Sequence, residues 1–165
     1  MAALKQLNVA PKGMGLADFV AMKEGYFAAE GLDVASQPVV TGRFDPLFEA
    51  HLQNVERVRS RLESRGGVAY FDLAEWPLDA VNKFIGYYVD PAALYSVAVT
   101  ASPRRAKVSV GSNPWRASER RHDLSKLCEK YGGGGHPVVG AVTLKGGEVE
   151  EARRIGREIA ETLSG

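Results

Sequence analysis

Cysteine is almost absent: Cys128 is the one thiol among 165 residues. That excludes an internal disulfide and any cysteine-based metal cluster. Its place on the apolar face of a short helix reads as that of a buried bystander rather than a nucleophile. Histidine is nearly as scarce, at three, and His51 has no second His, Cys or carboxylate at ligand spacing. Neither sign of charge dominates. Lys and Arg number 21 against 20 Asp and Glu, for a net charge of +1. A broad basic face for indiscriminate duplex binding is thereby excluded, while a local patch is not. No run approaches the ~18 apolar residues of a membrane span. Met1 to Val9 carries no apolar run of signal-peptide length, so a cytoplasmic protein without membrane partners is expected. No internal repeat or low-complexity tract is present. What remains, 45% hydrophobic and 25% charged residues, is ordinary for a globular chain with one domain, or one domain and a small appendage.

Glycine is what the chain does have, 18 of them, and they concentrate in Tyr131-Gly132-Gly133-Gly134-Gly135-His136-Pro137-Val138-Val139-Gly140. Without a Cβ, glycine backbone takes positive φ and approaches other groups closely. Successive N–H groups can then converge on one point, a nest suited to phosphate or carboxylate. His136 adds a side chain that can donate to an anion. The alternative reading is a flexible connection between a helix and a strand.

Hydrophobic periodicity organises the rest. Leu4 to Ala10 reads as a strand. Asp18 caps a helix carrying Phe19, Met22, Tyr26 and Phe27, which Gly31 ends. Leu32 to Val34 is extended, with Val39 and Val40 continuing it beyond Pro38. Asp45 and Pro46 signal a helix start, and Leu47, Phe48, His51, Leu52, Val55, Val58 and Leu62 follow as one apolar stripe. Val68 to Leu73 is a buried-strand run, in which Asp72 is either functional or a cap. A short helix is expected over Pro77–Ile85. Tyr95–Thr100 and Ala106–Ser112 form a hairpin in which Val108 and Val110 point one way while Lys107, Ser109 and Gly111 point the other. Ser112 to Arg116 leaves as a polar loop, and Asp123 caps a helix with Leu124, Leu127, Cys128 and Tyr131 on one face. After the glycines, Val138 to Leu144 is extended. Glu148 to Leu163 is the clearest helix, with Val149, Ala152, Ile155, Ile159 and Leu163 buried and Arg–Glu pairs on its outer face.

Two family resemblances follow from these residues. Gly13 to Val34, through Lys23-Glu24-Gly25-Tyr26-Phe27 and Glu30-Gly31-Leu32-Asp33-Val34, resembles the opening unit of periplasmic substrate-binding proteins of the nitrate, sulfonate and thiamine-precursor type. That family closes two lobes on its ligand in a far longer chain, so here the block is read as a structural strand–helix–strand piece. Residues 42–165 resemble the C-terminal, substrate-binding domain of the DHH phosphoesterase family. The resemblance is carried by Gly132-Gly133-Gly134-Gly135-His136-Pro137 with Gly140, by Lys107 to Ser112, and by the helix after Gly147. It implies that the glycine stretch and its histidine bind a phosphate or nucleotide and that the preceding strand adds polar contacts, although Gly111 stands where many members carry an arginine. It also implies hydrolysis by a separate Mn²⁺ domain. Two-metal chemistry needs several carboxylates or imidazoles around ions ~4 Å apart, and this chain has no Asp-His-His triplet to supply them.

The expectation is therefore an α/β fold: a mixed β-sheet with helices 45–63, 120–130 and 148–163 packed on it and the N-terminal βαβ unit added at an edge. Residues 1–41 and 42–165 are the two pieces, joined near Val40–Arg43 by natural or constructed fusion. The expected function is non-catalytic binding of a phosphate-bearing ligand, a nucleotide or the end of a short single-stranded RNA or DNA. Gly133, Gly134, Gly135 and His136 would lead that site, and Ser109, Ser112, Asn113 and Arg116 would assist, with Trp115 as a stacking or packing ring. No catalytic residue, metal ligand or cofactor is expected, Mn²⁺ belonging to the absent catalytic domain. The alternatives are a chimeric scaffold without ligand, and a phosphodiesterase fragment that works with a catalytic domain supplied in trans.

Overall fold

The computed structural model describes residues 5–8, 29, 32–35, 38–77 and 81–165. The chain divides into two compact units, Met1–Gln53 and Asn54–Gly165. In the first, β1 (Lys5–Asn8) and β2 (Leu32–Ala35) pair in parallel as a two-stranded sheet of their own. Parallel pairing requires a crossover between the strands. The helix expected after Asp18 falls in that crossover, outside the described residues.

Helix α1 spans Pro38–Arg61, seven residues ahead of the start expected at Asp45. Val39 and Val40, expected to be extended, lie within it, and so does the expected junction at Val40–Arg43. Pro46 is inside the helix; it removes one intrahelical bond there, and the flanking turns carry the helix past it. Phe48, Val55 and Val58 are buried, whereas Leu47 and Leu52 are exposed. At 3.6 residues per turn, Leu47 and Leu52 lie on the two flanks of the stripe that Phe48, Val55, Val58 and Leu62 centre.

The second unit is built on a six-stranded sheet in the order β3-β4-β5-β6-β8-β7. Its strands are β3 (Glu63–Arg65), β4 (Val68–Pro77), β5 (Tyr95–Ser102), β6 (Arg105–Ser112), β7 (Gly134–His136) and β8 (Val139–Lys145). β4 and β5 pair in parallel and the remaining neighbours antiparallel, which makes the sheet mixed, as expected. β4 runs on past Leu73, with a register irregularity before Pro77, a position at which a proline's missing donor is tolerated. The helix expected over Pro77–Ile85 is instead α2 (Ile85–Val89); residues 78–80 lie outside the described residues.

Strand alternation sorts the side chains. One face presents Val97, Val99, Val108, Val110 and Val142 to α3 (Leu124–Glu129) and α4 (Val149–Ser164), whose Leu124, Cys128, Ile155 and Ile159 complete the main core. A Cβ on Gly156 would lie 2.8 Å from a Val99 methyl, so glycine there permits the close approach of α4. Arg153 Nε donates to Asp72 Oδ2 at 2.7 Å, and Asp72 Oδ1 accepts from the Ala74 N–H at 2.9 Å. Asp72 is thus a fastening between β4 and α4. On the outer side of α4, Arg154 pairs with Glu151 and Glu158, while Arg157 reaches Glu63 across to β3.

Cys128 is fully buried in this core. Burial pushes its thiol from 9.0 up to about 11. A folded-state value above the unfolded one gives stabilisation that is complete below about pH 9 and is lost as the pH rises toward 11. Labelling by a thiol reagent at pH 8 is therefore expected only at the rate of unfolding. Mass spectrometry of aliquots with and without denaturant checks this, and rapid labelling of the native protein would contradict it.

Candidate functional site

On the opposite face of the sheet the described residues provide cover at one side. Phe71, Leu73 and Ala98 pack there with Val55 and Val58 of α1 and Ile85 of α2. All three sheet residues belong to β4 and β5. Among the described residues that cover does not reach the portion formed by β6, β8 and β7, and there a cleft of about 400 Å³ opens.

Register defines its floor. Phe71, Ala98, Ser109, Ala141 and Gly134 form one row across five strands. A second row runs Ser96, Gly111, Val139, His136, and a third pairs Thr100 with Lys107. Ser96, Ala98 and Thr100 of β5, Arg105, Lys107 and Ser109 of β6, and Gly134, Gly135, Val139, Gly140 and Ala141 line the cleft, and Val81, Asn82 and Lys83 wall it before α2. Every ionisable group among these residues is a cation, with hydroxyls and a carboxamide between them. Lys107 is half-buried and has no carboxylate partner among the described residues.

The glycine run is not the loop nest expected. Gly134–His136 is strand β7, paired with β8 at the end of the sheet. Gly132, at φ 73°, turns the chain back on α3 in the left-handed region that favours glycine. There the Gly132 N–H donates to Glu129 O and the Gly133 N–H to Cys128 O, at 3.1 and 3.0 Å. The Gly133 amide is therefore used in ending α3, and convergence of all three glycine amides on one anion is corrected by this geometry. Gly134 and Gly135 reach the cleft; Gly133 does not line it.

His136 is exposed. It sits opposite Val139 in the β7–β8 register, and directly opposed residues of an antiparallel pair share a face. Val139 lines the cleft, so His136 stands on the cleft side, at its rim. Ser109 is in the floor. Ser112 is committed to the β7–β8 turn: its hydroxyl donates to Val138 O at 3.1 Å and accepts from Arg120 Nε at 3.1 Å.

Asn113 and Arg116 serve the fold. Asn113 is 2% exposed; its Nδ2 donates to Ala93 O at 2.9 Å and its Oδ1 accepts the Trp115 N–H at 3.0 Å. It caps the 3₁₀ helix Pro114–Glu119 where a polar loop was expected. Arg116 donates through Nε and Nη2 to both Glu119 oxygens and through Nη1 to Ala92 O, and its hydrogen bonds hold the Glu119 carboxyl below the usual carboxylate range. Neither residue lines the cleft. Asn113→Ala is expected to lower stability by about 1–3 kcal/mol, because it leaves the buried Ala93 carbonyl without its donor. Urea denaturation measures this, and an unchanged midpoint would contradict it.

Asp123 caps α3 as expected, accepting from the Ser125 and Lys126 amides at 3.0 and 3.3 Å and from the Ser125 hydroxyl at 2.6 Å. The neighbouring His122 lies against the Tyr95 ring. Sequence reasoning missed Lys107, Arg105, Ser96, Thr100, Asn82 and Lys83 as cleft residues. The alternation Ser96-Val97-Ala98-Val99-Thr100 carried the clue for β5. A further polar group comes close: the buried Tyr87 hydroxyl makes no hydrogen bond of ordinary geometry and lies 3.0 Å from where a Gly111 Cβ would be. Burial raises its pKa, the Ser96 backbone offsetting this in part. A side chain at Gly111 would meet that hydroxyl, and the cations of this site stand elsewhere on β6.

Among the described residues no three of His, Cys, Asp and Glu come together as a metal centre requires. The Mn²⁺ implied by the family resemblance therefore finds no donor set there. Nor is any helix among them long and apolar enough to cross a membrane.

No family model and no curated protein matches the chain. Solved structures do. PggH of Vibrio cholerae, a pGpG-specific phosphodiesterase, matches with TM-score 0.64 at 19% identity, over 93% of this chain and 52% of that one. An exopolyphosphatase-related protein of Bacteroides fragilis matches with TM-score 0.54 at 14% identity, over 88% and 44%. The DHH domain of PF0399, a member of the s1p family of ribosomal proteins, gives 0.47 at 16%, over 75% and 33%. The chain spans about half the length, or less, of the structures it matches. Coverage of 93% exceeds the roughly three quarters that residues 42–165 make up, so the matched stretch extends into the N-terminal segment. At these identities the likeness is one of fold: the chain shares the fold of PggH and of the exopolyphosphatase-related protein over part of their length.

Proposed function

We propose that the chain is a binding module for a phosphate-bearing ligand, a nucleotide or the end of a short single strand, and that it performs no hydrolysis by itself. The observation that carries this reading is the chemistry of the cleft. Lys83 and Lys107 line it and, among the described residues, no carboxylate does, in a chain whose net charge is only +1. Cations gathered on one concave face of a nearly neutral protein focus potential there. Ser96, Thr100, Ser109 and Asn82 add neutral donors for phosphate or sugar oxygens. Gly134 and Gly135 present bare backbone at one wall, so a ligand oxygen meets no side chain at those two positions. His136 at the rim supplies a further donor.

The fold shared with a pGpG-specific phosphodiesterase supports this choice of ligand class. A hydrolytic domain, where one acts, is in this reading a separate one. The test is titration of 5′-GMP against the wild type and Lys107→Glu. Saturable binding that the substitution removes is expected. Absence of binding at 10 mM ligand overturns the proposal, and turnover of a 5′-phosphorylated dinucleotide with Mn²⁺ by the chain alone overturns its non-catalytic part.

A further inference from the structure

Lys83 belongs to the cleft wall, and its Nζ lies 5.0 Å over the Phe84 ring. Phe84 in turn meets Trp115 edge to face, with centroids 5.8 Å apart and planes at 62°. A continuous line of contacts thus leads from the cleft to an aromatic pair. Neither ring is buried: Phe84 is 41% exposed and Trp115 73%. Tryptophan is on average a highly buried residue, so an indole this open calls for an occupant.

The pair is also held in place. Trp115 lies in the first turn of the 3₁₀ helix Pro114–Glu119, a turn fixed by buried Asn113, which is bonded to Ala93 O and to the Trp115 N–H. Phe84 precedes α2, whose Gly86 lies close over Ser96 and whose Tyr87 reaches Gly111. Both rings therefore flank the end of the cleft at the row Ser96, Gly111, Val139, His136. At that end the Ser112 N–H donates to Val138 O at 3.0 Å and ties the end of β6 to the β7–β8 turn. An edge-to-face contact leaves ring faces open, and Lys83 occupies one side of Phe84. Trp115 consequently offers the larger free face.

We infer that Trp115, backed by Phe84, is a stacking platform for a nucleobase, so that the ligand of this cleft carries a base as well as a phosphate. Its phosphate lies among Lys107, Ser109 and Gly134, and its base lies on the indole. This deepens the nucleotide-binding proposal and rests on it. It selects between ligand classes that the shared fold leaves open, since a base-free phosphate chain has no use for an exposed indole. Base–aromatic stacking accepts any base, because every base has a π-face; the platform favours nucleotides over sugar phosphates without reading sequence.

The test compares three probes, 5′-GMP, ribose 5-phosphate and tripolyphosphate, by calorimetric titration of the wild type, Trp115→Ala and Trp115→Phe. The expected result is that Trp115→Ala weakens 5′-GMP about five- to a hundredfold, leaves the two base-free probes unchanged, and is largely rescued by Trp115→Phe. In a Trp76→Phe background the remaining fluorescence, which is that of Trp115, should be quenched by 5′-GMP and not by ribose 5-phosphate. If the wild type binds a base-free probe but Trp115→Ala leaves 5′-GMP unaffected, or weakens all three alike, the platform is overturned while the cleft stands. If the wild type binds none of the three, the cleft reading fails and the platform with it.

Discussion

Gly133→Ala is expected to lower stability by about 3 kcal/mol or more, whereas Gly134→Ala, one residue along, should leave the thermal midpoint where it is. The difference lies in what a Cβ would meet. At Gly133 it would fall 2.2 Å from Ala141 O, 2.9 Å from a Val142 methyl and 3.0 Å from the Ala141 carbonyl carbon. Two of these are backbone atoms of β8, which is bonded to β6 on one side and β7 on the other, so they cannot retreat without breaking a ladder. Overpacking typically costs ~1–3 kcal/mol where side chains can adjust; here the obstacle is main chain, which puts the effect at or above the top of that range. Gly134 has nothing within 4 Å of its Cβ position. Its methyl would enter the cleft instead, so Gly134→Ala should weaken ligand binding in a protein of normal stability. Thermal and urea denaturation of the two variants decide the matter, and equal midpoints for both would show that β7 is not placed as described.

That contrast explains why the glycine run reads as a loop in the sequence. Glycine has low strand propensity and marks close backbone approach when found in a strand. The strand character of Gly134–His136 comes from pairing with β8, a tertiary cause with no local trace. Features of short range were legible: the β5–β6 hairpin, the Asp123 cap and the apolar stripe of α4 all follow from periodicity and turn chemistry within a few residues. In the site, Ser109 was legible because β6 alternates cleanly, and Lys107 was placed on the same side by the same alternation without being given a role. Asn82 and Lys83 were not legible, since the crossover between parallel β4 and β5 brings them to the cleft wall. Asn113 and Arg116 read as ligand contacts in the sequence because polar residues after a strand look available. Their partners, the carbonyls of Ala93 and Ala92, lie 20 and 24 residues away, beyond the reach of any local pattern.

Lys107→Glu is expected to reduce 5′-GMP affinity about a hundredfold or more, and Lys107→Ala about tenfold, without loss of fold. Lys107 stands opposite Thr100 of β5 and Thr143 of β8, on the face that carries Ser109, so a phosphate held over Ser109 has this ammonium as a near neighbour. A hydrogen bond between charged groups contributes about 1.5–3 kcal/mol, and each 1.4 kcal/mol is a factor of ten; the alanine variant loses that attraction and the glutamate variant adds repulsion of similar size. Because the cleft is partly open, both effects should shrink as salt rises, the screening length being ~8 Å at physiological ionic strength. Stability should change little, since the half-buried ammonium has no ion-pair partner among the described residues to leave unpaired. Arg116→Ala is the control of opposite design: it removes a guanidinium bound to Glu119 and Ala92 and should leave affinity unaltered. Were Lys107→Glu to bind 5′-GMP as tightly as the wild type, while Arg116→Ala did not, the phosphate site would have to be moved from the face of the sheet to the 3₁₀ turn, against the ion pairing seen there.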